Sequence, residues 1–429
     1  MLLGVEIKMV KNKHLIVISI DAMVTDDLEY ADKLPTFHEL ISKGTVIKKV
    51  MTIYPSLTHC VHASIITGKA AGETGVTENT MFTPGMVKMP WFNKYSDIKC
   101  ETIFSLAKKA GLTTASCRWP VTANAGADID YLVPEIMRKD LEGFESDPIQ
   151  AYINDGTTKG LVDIVNASIK KNGASLDHPI YDEAQADCVC EIIKRYKPNL
   201  LLTHPGFVDS ERHRTGLFSP YVLKSLEKTE EWLAKVVDAT KEAGIFENTD
   251  FILLSDHGHC PYHTFSMPNV KLVEEGLITL DSNGNVKDWQ AYIQSCDLSA
   301  HVYLKNSEDS KLTDRVEKLL QKWIAEDSVG IESYMSAKEA KEKYGLFGNF
   351  SFTIEAKEGF SFEDEYTGPL FEENPPVEPG LAHSAHGHLP HKGPQPIFIG
   401  FGPHFEKGKV EDNCSILDHF DTFRRVLEV

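Results

Sequence analysis

The run Leu15-Ile16-Val17-Ile18-Ser19-Ile20-Asp21 has a counterpart far along the chain in Asp250-Phe251-Ile252-Leu253-Leu254-Ser255-Asp256-His257-Gly258. Each is a short, β-branched, near-continuous apolar run that stops at a carboxylic acid. Apolar side chains at both odd and even positions fit a strand covered on both faces, which is the situation of a parallel sheet. Residues 113–117 and 199–203 read the same way. Between these runs, residues 34–42, 58–67, 101–110, 181–196 and 219–243 carry helical spacing. The alternation predicts an α/β fold with a parallel-sheet core and helices on both faces. In such sheets reactive groups gather at the carboxyl ends of the strands, where Asp21 and Asp256 both fall.

The texture changes after residue 260. An Asn283-Gly284-Asn285 turn, strands over 300–305 and 350–356 and a charged helix over 312–326 precede an acidic, proline-rich loop over 372–380. Core texture resumes with residues 396–402 and a closing helix over 415–427. This organisation predicts a core built from residues 1–260 plus 381–429, interrupted by an inserted α+β cap over 261–380.

The 429 residues include 44 Lys and Arg against 63 Asp and Glu, a net charge of −19. Nucleic-acid polymers and anionic membranes are held by basic surfaces, so this balance argues against both as partners. The apolar run 15–20 is too short for a secretory leader or for a span of about 20 residues. The expectation is therefore a soluble cytoplasmic protein. Eight cysteines in a chain of this length make no dense framework and read as reduced thiols. Cys188 and Cys190, spaced C-x-C, match neither a redox pair nor a zinc knuckle.

Four clusters carry chemistry. Asp21 is the first, and Asp256-His257 the second. Asp209 and His213, four residues apart in a helical turn, share a face and can grip one metal. The fourth is His383-Ser384-Ala385-His386-Gly387-His388-Leu389-Pro390-His391. Together they offer two sets of three Asp/His ligands, the complement of catalytic metal sites that keep an open position. Two metals about 3.5–4 Å apart suit in-line displacement at phosphorus. Thr58 opens a helix, where free amides and the helix dipole favour an anion and assist an alkoxide. Thr58, or Ser56 beside it, also suits a plain helix cap.

Taken together, these segments resemble the type I phosphodiesterase and nucleotide pyrophosphatase family of the alkaline phosphatase superfamily. The blocks carrying the likeness are Leu15 to Asp21, Leu34-Pro35-Thr36-Phe37-His38-Glu39-Leu40, Thr58 with Ser64-Ile65-Ile66-Thr67-Gly68, and Gly75-Val76 with Asn79. Further blocks are Cys117-Arg118-Trp119-Pro120, Asp209 with His213, Ser255-Asp256-His257-Gly258, His386-Gly387 and Gly402-Pro403. The resemblance implies an alkaline-phosphatase-like core and two Zn²⁺ ions. One would be held by Asp209, His213 and His386, the other by Asp21, Asp256 and His257. It makes Thr58 the nucleophile of a phosphothreonine intermediate and Asn79 the amide that bonds a phosphoryl oxygen. His386 is preferred over His383, His388 and His391 because Gly387 follows it.

The chain departs from the family pattern around the substrate. His59-Cys60-Val61 follows the nucleophile in place of Phe-Pro-Asn, His388-Leu389-Pro390 replaces Tyr-Asp-Asn, and Thr74 stands where a histidine is usual. The implied activity is hydrolysis of a small, nucleotide-like phosphate ester, foremost as a phosphodiesterase or nucleotide pyrophosphatase. C–P bond hydrolysis like that of phosphonoacetate hydrolase, or phosphomonoester hydrolysis, is the alternative. Phe82, Trp91, Phe92 and Trp119 are candidates to stack a base or to pack the interior. Three aspartates under two Zn²⁺ leave a centre of about +1, so a local cation can attract phosphate within an acidic chain.

Overall fold

The computed structural model describes residues 13–86, 89–137 and 141–429, so the first 12 residues of the expected core lie outside it. An eight-stranded sheet runs in the order Lys409–Glu411, Thr45–Ile47, Phe398–Phe401, Thr249–Leu254, His14–Ser19, Leu200–Thr203, Thr114–Cys117, Tyr131–Val133. Alternate residues of its central strands feed different cores. Leu15, Val17, Leu200, Leu202, Ile252 and Leu254 pack on one side with residues of the helices Thr58–Ile65, Ile103–Lys109 and Asp418–Leu427. Ile16, Ile18, Leu201, Phe251 and Leu253 pack on the other with the helices Pro35–Lys43, Val162–Asn172, Ile180–Tyr196 and Pro220–Glu242. Burying each of these large apolar side chains contributes about 1.5–3 kcal/mol, which is why both parities of the strands are apolar. This is the alkaline-phosphatase-like α/β core that the sequence predicts.

The sheet is mixed rather than wholly parallel. Phe398–Phe401 runs antiparallel to both Thr249–Leu254 and Thr45–Ile47. The reason is the path of the chain: His386 sits at the carboxyl edge of the sheet, so the strand that follows must enter from that edge and run backwards.

After residue 260 the chain builds other sheets. Cys260–Ser266 pairs with Gly359–Phe362, Phe371–Glu373 and His383–Ala385. An antiparallel sheet of Ala291–Cys296, Ser299–Leu304, Phe352–Ala356 and Ile331–Ser336 has its own apolar cluster, which takes Leu312, Val316, Leu320 and Trp323 from the helix Ser310–Ala325. Cys296 and Tyr303 from the same sheet join the core cluster instead, so this α+β segment rests on the core. None of the eight cysteines is paired, and no helix among the described residues is long and apolar enough to cross a membrane.

Candidate metal centre and nucleophile

Register places the first acids together. Leu15 to Ile18 lie beside Leu200 to Thr203, and His14 to Ser19 beside Thr249 to Leu254. The three strands therefore end level. Past their ends the Ile20 amide donates to Leu254 O at 2.8 Å and the Asp21 amide to Pro205 O at 3.0 Å. Asp21, Asp256 and His257 converge there, with His257 Nε2 at 3.5 Å from Asp21 Oδ1 and 3.1 Å from Asp256 Oδ2.

The helix Phe207–Thr215 begins just beyond the neighbouring strand and presents Asp209 and His213 on one face, Nε2 to Oδ1 3.5 Å. Arg212 pins the helix from behind, donating to Ala22 O at 2.9 Å and pairing with the buried Asp27. His386, directly after the strand His383–Ala385, completes this side. Its Nδ1–H donates to Ser56 O at 3.1 Å, which leaves Nε2 aimed towards Asp209 Oδ1 at 3.9 Å. Of the competing histidines, His383 is occupied by His213 O and Pro375 O, His388 bonds Leu389 O, and His391 is exposed.

Thr58 is the first residue of the helix Thr58–Ile65 and sets its hydroxyl 3.2 Å from His257 Nε2, between the two clusters. Asn79 Oδ1 accepts the His59 amide at 3.0 Å. That bond fixes the carboxamide with its NH₂ end available to the cavity that Asn79 lines beside Thr58. The cavity, about 460 Å³, is bounded by both clusters, by His59, Trp91, Arg118, Glu135 and Tyr181, and by Asp297, Glu363 and Asp364 of the second segment. Among the aromatic candidates only Trp91 lines it. Phe82 stacks on Tyr303 at 3.6 Å and Trp119 is buried against His62.

The electrostatics of this arrangement test whether it suits metal ions. Burial, then the neighbouring Asp209, pushes Asp21 well above the usual carboxylate range, and burial with Asp21 does the same to Asp256. Burial and facing imidazoles hold His257 and His259 low, and burial holds His386 down at about 3. Asp21 Oδ1, Asp256 Oδ2 and His257 Nδ1 are buried without a hydrogen-bond partner. Among the described residues lining the cavity, Arg118 is the only Lys or Arg. Converging carboxylates and neutral imidazoles with orphaned carboxylate oxygens fit divalent cations, which would satisfy those oxygens and the ring nitrogens that face them.

Three buried histidines at the centre were not singled out by sequence reasoning. His204 Nε2 stands 3.1 Å from Asp21 Oδ2, His62 Nδ1 3.6 Å from Asp256 Oδ2, and His259 Nε2 2.8 Å from Asp209 Oδ1. The strand-end rule that selects Asp21 points equally to His204, which directly follows Leu200–Thr203. His62 is one helical turn past Thr58, and its Nδ1–H donates to the Thr58 carbonyl at 2.7 Å. His259 follows His257 after a single glycine.

With the site in view, the likeness to known proteins can be placed. Residues 15–387 match the sequence pattern described as type I phosphodiesterase / nucleotide pyrophosphatase. The chain belongs to that family. It is 25% identical over 231 residues to human ectonucleotide pyrophosphatase/phosphodiesterase family member 1, covering 52% of this chain and 21% of the relative. It is 24% identical over 259 residues to the venom phosphodiesterase of Naja atra, covering 57% and 26%. This family member thus spans about a quarter or less of the length of those two relatives. In structure it is similar to murine ectonucleotide pyrophosphatase/phosphodiesterase 5, with a TM-score of 0.65 at 17% identity over 97% of this chain and 95% of that one. An inactive variant of the murine protein has been solved in complex with AMP. The human counterpart gives a TM-score of 0.66 at 16% identity.

Proposed function

We propose that this family member hydrolyses small phosphodiesters or nucleotide pyrophosphates through Thr58, with two zinc ions. Asp21, Asp256 and His257 would hold one ion, and Asp209, His213 and His386 the other. When bound, they would neutralise charge on the phosphoryl group and acidify the Thr58 hydroxyl. Thr58 Oγ1 gives its proton to solvent and attacks phosphorus, the P–O bond to the leaving group breaks with its electron pair going to the leaving oxygen, and that oxygen takes a proton from solvent to depart as the alcohol, or leaves as phosphate. A phosphothreonine forms. Water then attacks the same phosphorus, the bond to Thr58 Oγ1 breaks, and the remaining phosphate is released. The Asn79 NH₂ group donates to a non-bridging oxygen as charge develops there. Residues 261–380 act as the cap that closes the leaving side with Asp297, Glu363 and Asp364.

One observation carries the reading: a helix-opening threonine hydroxyl 3.2 Å from His257 Nε2, flanked by two buried Asp/His clusters. Once ionised, Asp297, Glu363 and Asp364 of the cap would favour a singly charged diester over a doubly charged monoester or phosphonoacetate, a preference that strengthens as pH climbs towards 8. The AMP complex of the murine structural relative supports a nucleotide-like substrate. The test is Thr58→Ala assayed with a nitrophenyl nucleotide diester beside phosphonoacetate and a monoester. The variant should keep its metal and lose at least about 10³-fold in kcat, the scale of removing a nucleophile. Undiminished hydrolysis by Thr58→Ala overturns the assignment.

A further inference from the structure

His259 holds a position that the three-ligand scheme leaves unused. Its side chain is wholly buried, with Nδ1 at 3.0 Å from Ser384 Oγ and Nε2 at 2.8 Å from Asp209 Oδ1. Ser384 Oγ is itself 2.8 Å from the carbonyl oxygen of Arg212. A carbonyl has no hydrogen, so the proton in that contact belongs to Ser384. Ser384 is then the acceptor towards His259, and Nδ1 carries the ring proton. This leaves Nε2 facing a carboxylate oxygen at 2.8 Å, where two lone pairs repel unless a proton or a metal ion lies between them. The Nε2 atoms of His386 and His213 flank the same oxygen at 3.9 and 3.5 Å. Candidate ligand atoms of Asp209, His257, His259 and His386 all lie within 4.8 Å of one another.

We propose that His259 is a direct nitrogen ligand of the metal held by Asp209, His213 and His386. The inference rests on the two-metal reading above and adds a residue to it. A backbone-anchored serine that fixes the tautomer of an imidazole is what orients a ligating histidine. The resulting donor set, three imidazoles and one carboxylate, suits a divalent transition ion of the zinc type rather than Mg²⁺ or Ca²⁺, which prefer oxygen. It also divides labour within the set. His213, with a side chain 37% exposed, lies at the rim, while His259 is at the base. Loss of His259 therefore weakens the site more than loss of His213.

The test uses the full chain stripped of metal and titrated with Zn²⁺ against a chromophoric chelator, and with Co²⁺ followed by its visible d–d absorption. Wild type should take two ions. His259→Ala should weaken one of them by well over about 100-fold, beyond the 10–100-fold cost of losing an outer partner, and should change the Co²⁺ bands. His259→Gln decides the role, because its amide N–H can still donate to Asp209 while offering no imidazole nitrogen. It should lose the ion as His259→Ala does. Ser384→Ala, which releases the tautomer, should cost about 10-fold. Circular dichroism of each variant confirms that it is folded. Wild-type affinity and Co²⁺ bands in His259→Gln overturn the ligand assignment and make His259 a positioning residue for Asp209. A wild-type chain that takes up no metal overturns the two-metal reading itself, so the two failures are distinct.

Discussion

Replacing Glu78 should unfasten the antiparallel sheet of residues 291–304 from the loop that carries Asn79. Glu78 is 1% exposed, and its carboxyl oxygens accept from His301 Nδ1 at 2.6 Å, from the Tyr303 hydroxyl and from Gln294 Nε2. All three donors stand on the strands Ala291–Cys296 and Ser299–Leu304. Glu78→Ala leaves His301 Nδ1 and the Tyr303 hydroxyl without this acceptor, while Gln294 Nε2 keeps Thr80 O and Thr80 Oγ1 at 3.2 and 3.1 Å; the two orphaned donors cost about 1–3 kcal/mol each before relaxation. Relief from burying the carboxyl group offsets part of this, so the net loss should be about 2–4 kcal/mol. An unfolding entropy of about 2.1 cal/mol/K per residue, taken over 429 residues, gives about 0.9 kcal/mol per degree. The Tm should then fall by about 2–4 °C, and Glu78→Gln, which keeps one acceptor, should fall by roughly half as much. Asn79 follows immediately and holds the His59 amide, so kcat should drop by about tenfold, equivalent to about 1.4 kcal/mol. Calorimetry paired with diester hydrolysis reads both. A Glu78→Ala protein that melts within about 1 °C of wild type and turns over normally refutes the idea that this contact couples the two strands to the site.

Three other expectations follow from the same structure. Removing metal with a chelator should lower the Tm by about 6 °C, because two ions each present at about 100 times their Kd contribute about 2.7 kcal/mol apiece; an unchanged melt would contradict ligand-mediated stabilisation. Burial raises Glu363 to about 8 and Asp364 to about 7, so in the folded chain they stay protonated well above their ordinary range. The stability they permit is therefore present at acid pH and lost as pH climbs towards 8, and KM for an anionic diester should rise over the same interval; Glu363→Gln should flatten both profiles, and a profile identical to wild type would argue against it. Gly387 has φ +82°, and a Cβ there would meet Cys296 O at 1.9 Å. Gly387→Ala should displace His386 and lose metal affinity, readable by titration, whereas a variant with full affinity would show that the loop tolerates the shift.

Much of the core was legible because burial on two faces leaves a distinctive trace. A run such as Leu15 to Ile20 has no polar side until Asp21, and the same holds for Phe251 to Leu254 before Asp256. Acids at such ends stand out against their neighbours. Histidines do not. His62, His204 and His259 sit in ordinary helical, strand-end and loop contexts, and only the sheet register and the fold of residues 383–386 bring them to the carboxylates. The antiparallel direction of Phe398–Phe401 was equally hidden, since an apolar run reads the same in either sense. The fates of Phe82 and Trp119 depended on the partner surfaces that covered them, Tyr303 and His62, which no local pattern reveals.

The position of Phe398–Phe401 also governs how this protein must be made. It wedges between Thr45–Ile47 and Thr249–Leu254, so two early strands keep an unpaired edge until the last part of the chain arrives. At about 5–20 residues per second, synthesis leaves Thr45–Ile47 waiting on the order of 20–70 s for that partner. Exposed strand edges are templates for pairing with other chains. The nascent polypeptide is therefore a natural client for holding chaperones, and a ribosome stalled before residue 398 should release an aggregation-prone fragment with an open sheet.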